Sequence, residues 1–340
     1  VGGHGQAREV SVRDVASRAG LSIGTVSNVL NRRGNVAPDN IERVNAAIAE
    51  LGYVRNGAAR QLRSGETDTL ILVVPDLQNP FFAEIAYGAN ARAVEDGLAV
   101  IVNNSSDSEE REQLAVALAL EQRPRGVLFS PVGAGASSID ELVGQGIRTI
   151  LMGGSASELR IPSIKTDEVF GGALAAQHLV DRGRTRIGFV GMAVGLQYVT
   201  DRLNGARSVV AHSDAKLEIF TTAGLTVDEG IRVADEIADL PAELRPDALF
   251  AANDVVGFGL LQGLARRGIA VPDEIAVIGY DDNLFAELLA VPLSSVRQSG
   301  QRMGRLAVEL LLGAGDSAAP EHLALRPELV ERASSVKAES

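Results

Sequence analysis

The acidic pair Asp281-Asp282 is the best candidate in this chain for acid–base chemistry. Adjacent side chains on an extended segment point to opposite sides, so the two carboxyls are not expected to share a proton. Other catalytic patterns fail in turn. Gly153-Gly154-Ser155-Ala156-Ser157 lacks the closing glycine of a nucleophile elbow. There is no Gly-Lys-Ser/Thr phosphate loop, and Gly133-Ala134-Gly135 opens like a dinucleotide loop but ends at Ser138. The 4 histidines are scattered without ligand spacing, and the lack of cysteine removes thiol nucleophiles, thiolate metal sites and disulfides. Neither a catalytic centre nor a metal or cofactor site is therefore expected. What remains is binding chemistry. The apolar run 70–74 leads into Pro75-Asp76-Leu77-Gln78-Asn79-Pro80-Phe81-Phe82. These residues suit a helix cap and core, but two adjacent rings in a chain with 9 Phe and no Trp favour a ligand face.

Such groups need a scaffold to bring them together. From Thr69 onward, apolar segments at 70–74, 98–103, 127–130, 149–152, 164–167, 187–190, 217–220, 248–252 and 275–279 read as strands. Amphipathic helices fit between most of them, at 82–96, 109–122, 170–182, 227–240 and 255–267. Continuous apolar strands alternating with helices imply an α/β fold with parallel sheets buried on both faces. The length suits two doubly wound lobes, with a late helix at 301–312 crossing back to the first. Residues 313–320 read as a surface loop. The polar C-terminus lacks a leucine heptad and so gives no basis for an appended tetramerisation helix.

With 340 residues, 46% of them hydrophobic, the chain is expected to hold two or three domains. No apolar run approaches about 18 residues, and the start of the chain lacks the apolar core of a signal peptide, so a cytoplasmic protein without a membrane partner is expected. The net charge of −12 argues at first against nucleic acid. Its distribution reverses that locally. Residues 1–66 hold 9 Arg against 6 Asp plus Glu, a balance of +3 that leaves −15 for the remainder. A basic end on an acidic body confines phosphate attraction to that end.

The basic end has a recognisable pattern. Ser11 suits an N-cap, and Val12, Val15, Ala16 and Ala19 recur at helical spacing before Gly20 breaks the helix. Ser22 caps a second short helix with Val26, Val29 and Leu30 inward and Ile23, Gly24, Thr25, Ser27 and Asn28 outward. Two short helices joined by a glycine turn are the helix-turn-helix signal. A third helix starts at Pro38, carries Ile41, Val44, Ile48 and Leu51, and stops at Gly52. Asn56 then caps a short run with Ala58, Ala59 and Leu62. That run is too short to hold as an isolated helix, so it reads as a hinge that folds on DNA.

Val12-Arg13-Asp14-Val15-Ala16, Gly20-Leu21-Ser22, Thr25-Val26-Ser27-Asn28-Val29-Leu30-Asn31 and Asn56-Gly57-Ala58-Ala59-Arg60-Gln61-Leu62 resemble the head and hinge of LacI-family transcriptional regulators. The likeness is dense over roughly the first 65 residues and continues more thinly to about residue 332. It implies a tail at 1–9, a DNA-binding head at 10–55, and a hinge helix and linker at 56–66. It further implies a first lobe at 67–166 and 298–325, a second at 167–297 and 326–333, and a tail at 334–340. The body would be of the type I periplasmic-binding-protein kind, with a small-molecule effector between the lobes. The partners implied are double-stranded DNA bearing a near-palindromic operator, the effector, and a second copy of the chain.

The resemblance also assigns residues. Ser27 and Asn28 would read bases, Ile23 would touch a thymine methyl, and Gly24 would read nothing. Ser11, Ser22, Thr25, Asn31, Asn35 and Asn40 would lie mainly on phosphates, Arg55 would add a phosphate contact, and Val12 would be a further DNA-binding position. Asn56 and Ala59 would hold the hinge in register while Leu62 wedges into a minor-groove step and kinks the duplex. In the cleft, Asn79, Phe81 and Phe82 would contact effector, Asn253 and Asp281 would bond its hydroxyls, and Arg202 would be the positive group. Ser130, Asp167 and Gln298 are weaker carry-overs, and Gln298 equally suits a crossover. Two departures stand out: Gly153 follows a strand that in these regulators usually runs into an acid, and Leu225 falls near a position often aromatic. Rings, an amide, a carboxylate and an Arg suit a polyhydroxyl such as a sugar. A nucleobase or amino acid stays open as ligand, and a solute-binding protein with an incidental head is the alternative function. An enzyme of sugar metabolism fails for want of a nucleophile or acid–base pair.

Overall fold

Local caps define the first of two units, residues 1–65, which is distinct from the body at 66–340. The structure, a computed structural model, describes residues 10–30, 36–53, 67–132, 136–154, 161–192, 196–313 and 321–336. The expected tail at 1–9 and hinge at 56–66 lie outside the described residues, with Asn31, Asn35, Arg55, Asn56, Ala59 and Leu62.

In the head, helix α1 (Val12–Ala19) opens with a capping box. The Ser11 side chain accepts from the Asp14 backbone, and the Asp14 carboxylate accepts from the Ser11 N–H at 2.8 Å. Gly20 ends the helix at φ 64°, a left-handed conformation that a side chain strains. Helix α2 (Ile23–Leu30) follows, with Ser22 Oγ accepting from Thr25 N at 3.1 Å. Helix α3 (Pro38–Leu51) starts on its proline and closes the core. Val15, Ala16, Ala19, Val26, Val44 and Ala47 are buried, while Val29 and Leu30 pack at the margin. Arg43 of α3 donates to Ala19 O at 2.6 Å and Gly20 O at 3.3 Å, satisfying carbonyls that the helix end leaves open.

The body contains two six-stranded sheets. The first has order β11-β5-β4-β3-β1-β2, from strands β1 (Thr69–Val74), β2 (Ala99–Asn104), β3 (Gly126–Phe129), β4 (Thr149–Met152), β5 (Ser163–Thr166) and β11 (His322–Leu325), paired in parallel. The second has order β12-β10-β9-β8-β6-β7, from β6 (Arg186–Gly191), β7 (Lys216–Thr221), β8 (Ala248–Ala251), β9 (Ala276–Asp281), β10 (Ser294–Arg297) and β12 (Glu328–Val330). Here one pair, β10 with β12, is antiparallel, a departure from the wholly parallel expectation. The strands β10, β11 and β12 also escape the sequence reading. Two are edge strands with half-exposed side chains, so they carry no continuous apolar run.

Helices α4 (Pro80–Glu95) and α11 (Gly300–Gly313) cover one face of the first sheet, and α5 (Glu109–Gln122) and α6 (Ala136–Gly144) the other. In the second lobe, α7 (Glu168–Asp181) and α8 (Gln197–Val210) cover one face, and α9 (Val227–Asp239) and α10 (Asp254–Arg266) the other. The chain passes between lobes three times, after β5, after β10 and after β11. Helix pairs approach through reciprocal glycines. A Cβ on Gly172 would stand 1.9 Å from Arg202 O, and one on Gly205 would stand 2.0 Å from Val169 O. The α4–α11 pair does the same, with Gly88 1.9 Å from Gln301 O and Gly304 2.0 Å from Ile85 O.

One expected boundary needs correction. Ser334 and Ser335, read as part of a polar tail, are buried in the second lobe. Ser334 Oγ donates to Val277 O at 2.6 Å and accepts from Ser294 N at 2.8 Å, and Ser335 Oγ bonds Ser294 Oγ at 2.6 Å. Small hydroxyls bonded on both sides are compatible with burial.

Candidate ligand cleft and helix-turn-helix face

The carboxyl ends of the strands meet between the lobes. Asn79, the N-cap of α4, accepts from Phe81 N at 3.0 Å through Oδ1 and donates Nδ2 to Asp281 Oδ2 at 2.9 Å. One amide therefore caps a helix of the first lobe and reaches a carboxylate of the second. Gln298, just past β10, donates to Asp281 Oδ1 at 2.7 Å and accepts from Thr166 Oγ1 at 2.6 Å. Gln298 thus serves both the site and the crossover.

Asp281 is buried, and burial pushes its carboxyl up to about 6 although Arg202, Asn79 and Gln298 pull the other way. Its φ is 106° and that of Asp282 is 53°, so the segment is not extended as assumed from sequence. Backbone held in this region is stored strain of a kind found at ligand clamps. The two carboxylates still part company. Asp282 turns to Arg297 Nε at 2.7 Å and Arg332 Nη1 at 2.5 Å, while Asp281 faces the cleft.

Arg202 is the buried cation of the site. Its Nε and Nη2 bond the Glu168 carboxylate at 2.8 and 3.3 Å, and its Nη1 donates to Ala252 O at 2.6 Å. The guanidinium lies 3.6 Å from the Tyr280 ring centroid and 4.9 Å from that of Tyr198. Burial opposes its charge, but Glu168 and Asp281 outweigh that and hold its pKa above the ordinary arginine value. The Glu168 and Tyr198 contacts were not foreseen. They arise because α7 and α8 cross at glycine contact, which sets residue 168 beside residue 202.

Two chambers with walls in common lie in the cleft. The inner one, of about 50 Å³, is walled by Phe81, Phe82, Ile85, Ser130, Met152 and Met303, with Asn79, Glu168, Arg202, Asp281 and Gln298 supplying polar groups. Phe81 and Phe82 meet edge to face at 5.4 Å and belong to the first-lobe core while lining this chamber. The outer chamber, of about 210 Å³, shares Gly153, Thr166, Glu168 and Tyr198 and adds Lys165, Asp167, Gln197 and Asp201. Asp167 caps α7 through Phe170 N at 3.0 Å and lines only this vestibule. Asn253, expected on the ligand, caps α10 through Val256 N at 2.9 Å and lines neither chamber. Its position after β8 is the first turn of a helix, where the orphan N–H groups claim the side-chain oxygen.

In the head, Ile23, Gly24 and Asn28 lie exposed along one side of α2, with Thr25 and Ser27 half-buried. Ser11 and Ser22 spend their hydroxyls locally, on Asp14 at 2.6 Å and Thr25 at 2.9 Å. Val12 packs against the head core, and Asn40 is half-buried near the start of α3.

Residues 11–56 match the family model described as bacterial regulatory proteins, lacI family, and residues 176–335 match the periplasmic binding protein-like domain. The ribose operon repressor of Bacillus subtilis (strain 168) is 31% identical over 304 residues, covering 89% of this chain and 91% of that protein. The HTH-type transcriptional regulator CelR of Thermobifida fusca is 32% identical over 338 residues, covering 96% and 98%. Among solved structures, the lac repressor dimer bound to operator and the anti-inducer ONPF superposes with a TM-score of 0.82 at 25% identity, covering 97% of this chain and 100% of that one. The CelR–cellobiose complex gives 0.71 at 29% identity, covering 96% and 100%. With a capped helix-turn-helix head and a two-lobed body, this chain belongs to the LacI family of bacterial regulatory proteins and is a DNA-binding transcriptional regulator.

Proposed function

We propose that the protein is a homodimeric transcriptional repressor, acting in the cytoplasm, whose grip on a near-palindromic operator is set by a sugar bound between the lobes. The observation that carries this reading is the bond from Asn79 of the first lobe to Asp281 of the second, at 2.9 Å, inside a cleft walled by Phe81 and Phe82. A polyhydroxyl ligand exchanges bonds with that pair and stacks on the rings. Because the pair joins the lobes, such exchange has different free energies in the open and closed states, and only a difference of that kind shifts the equilibrium.

The reading is supported by relatives named as ribose operon repressors and by a related regulator solved with cellobiose. The exposed Ile23, Gly24 and Asn28 of α2 take the major groove, with Ser27 and Asn28 reading bases and Ser11, Ser22, Thr25 and Asn40 along phosphates. The hinge assignments for Asn56, Ala59 and Leu62 carry over as part of the proposal. A dimer is favoured by exposed apolar side chains on one helix of the first lobe, Tyr87 and Val94 of α4, and by Leu284, Phe285 and Leu288 in the second. A two-fold dimer demands matching half-sites. The test is a thermal-shift series with ribose, cellobiose and other uncharged sugars, because a ligand of the folded state raises the melting temperature. A rise with at least one sugar, accompanied by a change in operator affinity, is expected; no rise with any of them contradicts the assigned ligand class.

A further inference from the structure

We propose that Glu168 sets the charge class of the ligand, by neutralising Arg202 and leaving an acidic cleft that admits uncharged polyhydroxyls and rejects anionic ones. The inference rests on the cleft reading above and adds to it a residue and a selectivity. Its ground is the engagement of the buried cation by a carboxylate, a backbone carbonyl and two rings. Arg202 spends Nε and Nη2 on Glu168 and Nη1 on Ala252 O, and its ring contacts with Tyr280 and Tyr198 cover its faces. The nearest further carboxylate, Asp281, lies 3.7 Å from Nη2. Three of its five N–H groups are thus engaged, and Asp281 stands beside Nη2, so an incoming carboxylate or phosphate meets two carboxylates already placed around the edge it would need for two-point binding.

The surroundings reinforce the exclusion. The two chambers together carry four carboxylates, Glu168, Asp281, Asp167 and Asp201, against two cations, Arg202 and Lys165. Lys165 and Asp167 are both exposed, where water screens them, whereas Asp281 and Arg202 are buried with Glu168 half-buried beside them, so carboxylates outnumber the cation in the interior too. Glu168 lines both chambers, so any ligand that spans them passes its carboxylate. Hydroxyl groups suit this lining because each can donate to a carboxylate and accept from an amide N–H, such as those that Asn79 and Gln298 now donate to Asp281. Glu168 is a positioning residue for Arg202 as well as a wall of the site.

The test pairs neutral sugars with their charged derivatives on the full-length protein: ribose with ribonate, cellobiose with cellobionate, and glucose with glucuronate. Calorimetry on the wild type is expected to give binding of at least one neutral sugar and at least about tenfold weaker binding of its carboxylate partner, the loss expected for like charge in a partly desolvated site. Glu168→Gln is expected to narrow or invert that ratio, and Glu168→Asp, which keeps the charge, to preserve it. Because freeing a buried Arg can unfold the lobe, the wild-type ratio alone also decides the matter. A carboxylate partner bound as tightly as its neutral parent overturns the inference while leaving the cleft reading intact. An unchanged ratio in a folded Glu168→Gln protein overturns the role of Glu168. Absence of binding by either charge class overturns the cleft reading and the inference together.

Discussion

Asp281 accepts from Asn79 on one oxygen and from Gln298 on the other, so replacing it with alanine strands two buried amides. Each orphaned group costs about 1–3 kcal/mol. Asp281→Ala is therefore expected to lower the melting temperature by several degrees and to abolish the sugar-induced rise. Operator affinity should stay within about twofold, as for a distant independent site; loss of both together indicates misfolding. Its titration gives a second test. Burial raises the folded-state carboxyl to about 6, so between the ordinary carboxylate range and that value the folded chain holds a proton the unfolded chain has released. The contribution of this group to stability then falls as pH rises to about 6 and is constant above it. For ligand, the ionised form is the better acceptor. Sugar affinity measured by calorimetry is expected to weaken as pH drops through about 6, and Asp281→Asn to flatten that dependence. The position of Asp281 was legible because a polar residue closes an apolar strand. Glu168 was not legible, because its partner Arg202 stands 34 residues away and meets it only through a helix crossing.

Helix crossings supply the next scale. Gly205 lets α8 lie against Val169 O, where a methyl would stand 2.0 Å away. Gly205→Ala must push α8 off α7 and carry Arg202 away from Glu168. Overpacking of this kind costs about 1–3 kcal/mol, and sugar affinity should fall with stability, read by thermal shift and calorimetry on one sample. In the head, Gly20→Ala places a side chain at φ 64° and 2.8 Å from Arg43 Nη2, at a backbone cost of about 1–2 kcal/mol. Operator binding should weaken while the sugar-induced rise persists; an unchanged operator affinity contradicts the assigned role of this turn. Most of the long helices and nine of the strands could be read from sequence because period and apolar runs announce them. The helix α8 was missed because Gly205 and polar residues interrupt its stripe, and β10 because Ser294, Ser295 and Arg297 read as loop although both serines are buried. Asn253 shows a different ambiguity: its residue type suits a ligand and a cap alike, and the structure shows the cap.

The whole molecule couples a reader to a receiver, and the charge division foretells it: a balance of +3 in residues 1–66 and −15 beyond. Family resemblance in the head was dense enough to name the reader from sequence. The chambers were not, because their walls come from both lobes and from two of the three crossovers. The proposed dimer rests on exposed apolar groups. Phe285→Asp is expected to shift sedimentation toward monomer and weaken operator binding, since half-sites held by separate chains lose their linkage; a dimer that survives the change excludes this patch. The central claim is that a sugar in the cleft changes the protein's hold on DNA. The most direct measurement selects tight-binding duplexes from a randomised pool and titrates the winner by fluorescence anisotropy, with and without a sugar that raises the melting temperature. The account predicts a near-palindromic winner whose affinity shifts at least about fivefold with saturating sugar, the lower end of ordinary allosteric coupling. A winner without two-fold symmetry, or an affinity indifferent to sugar, would contradict it.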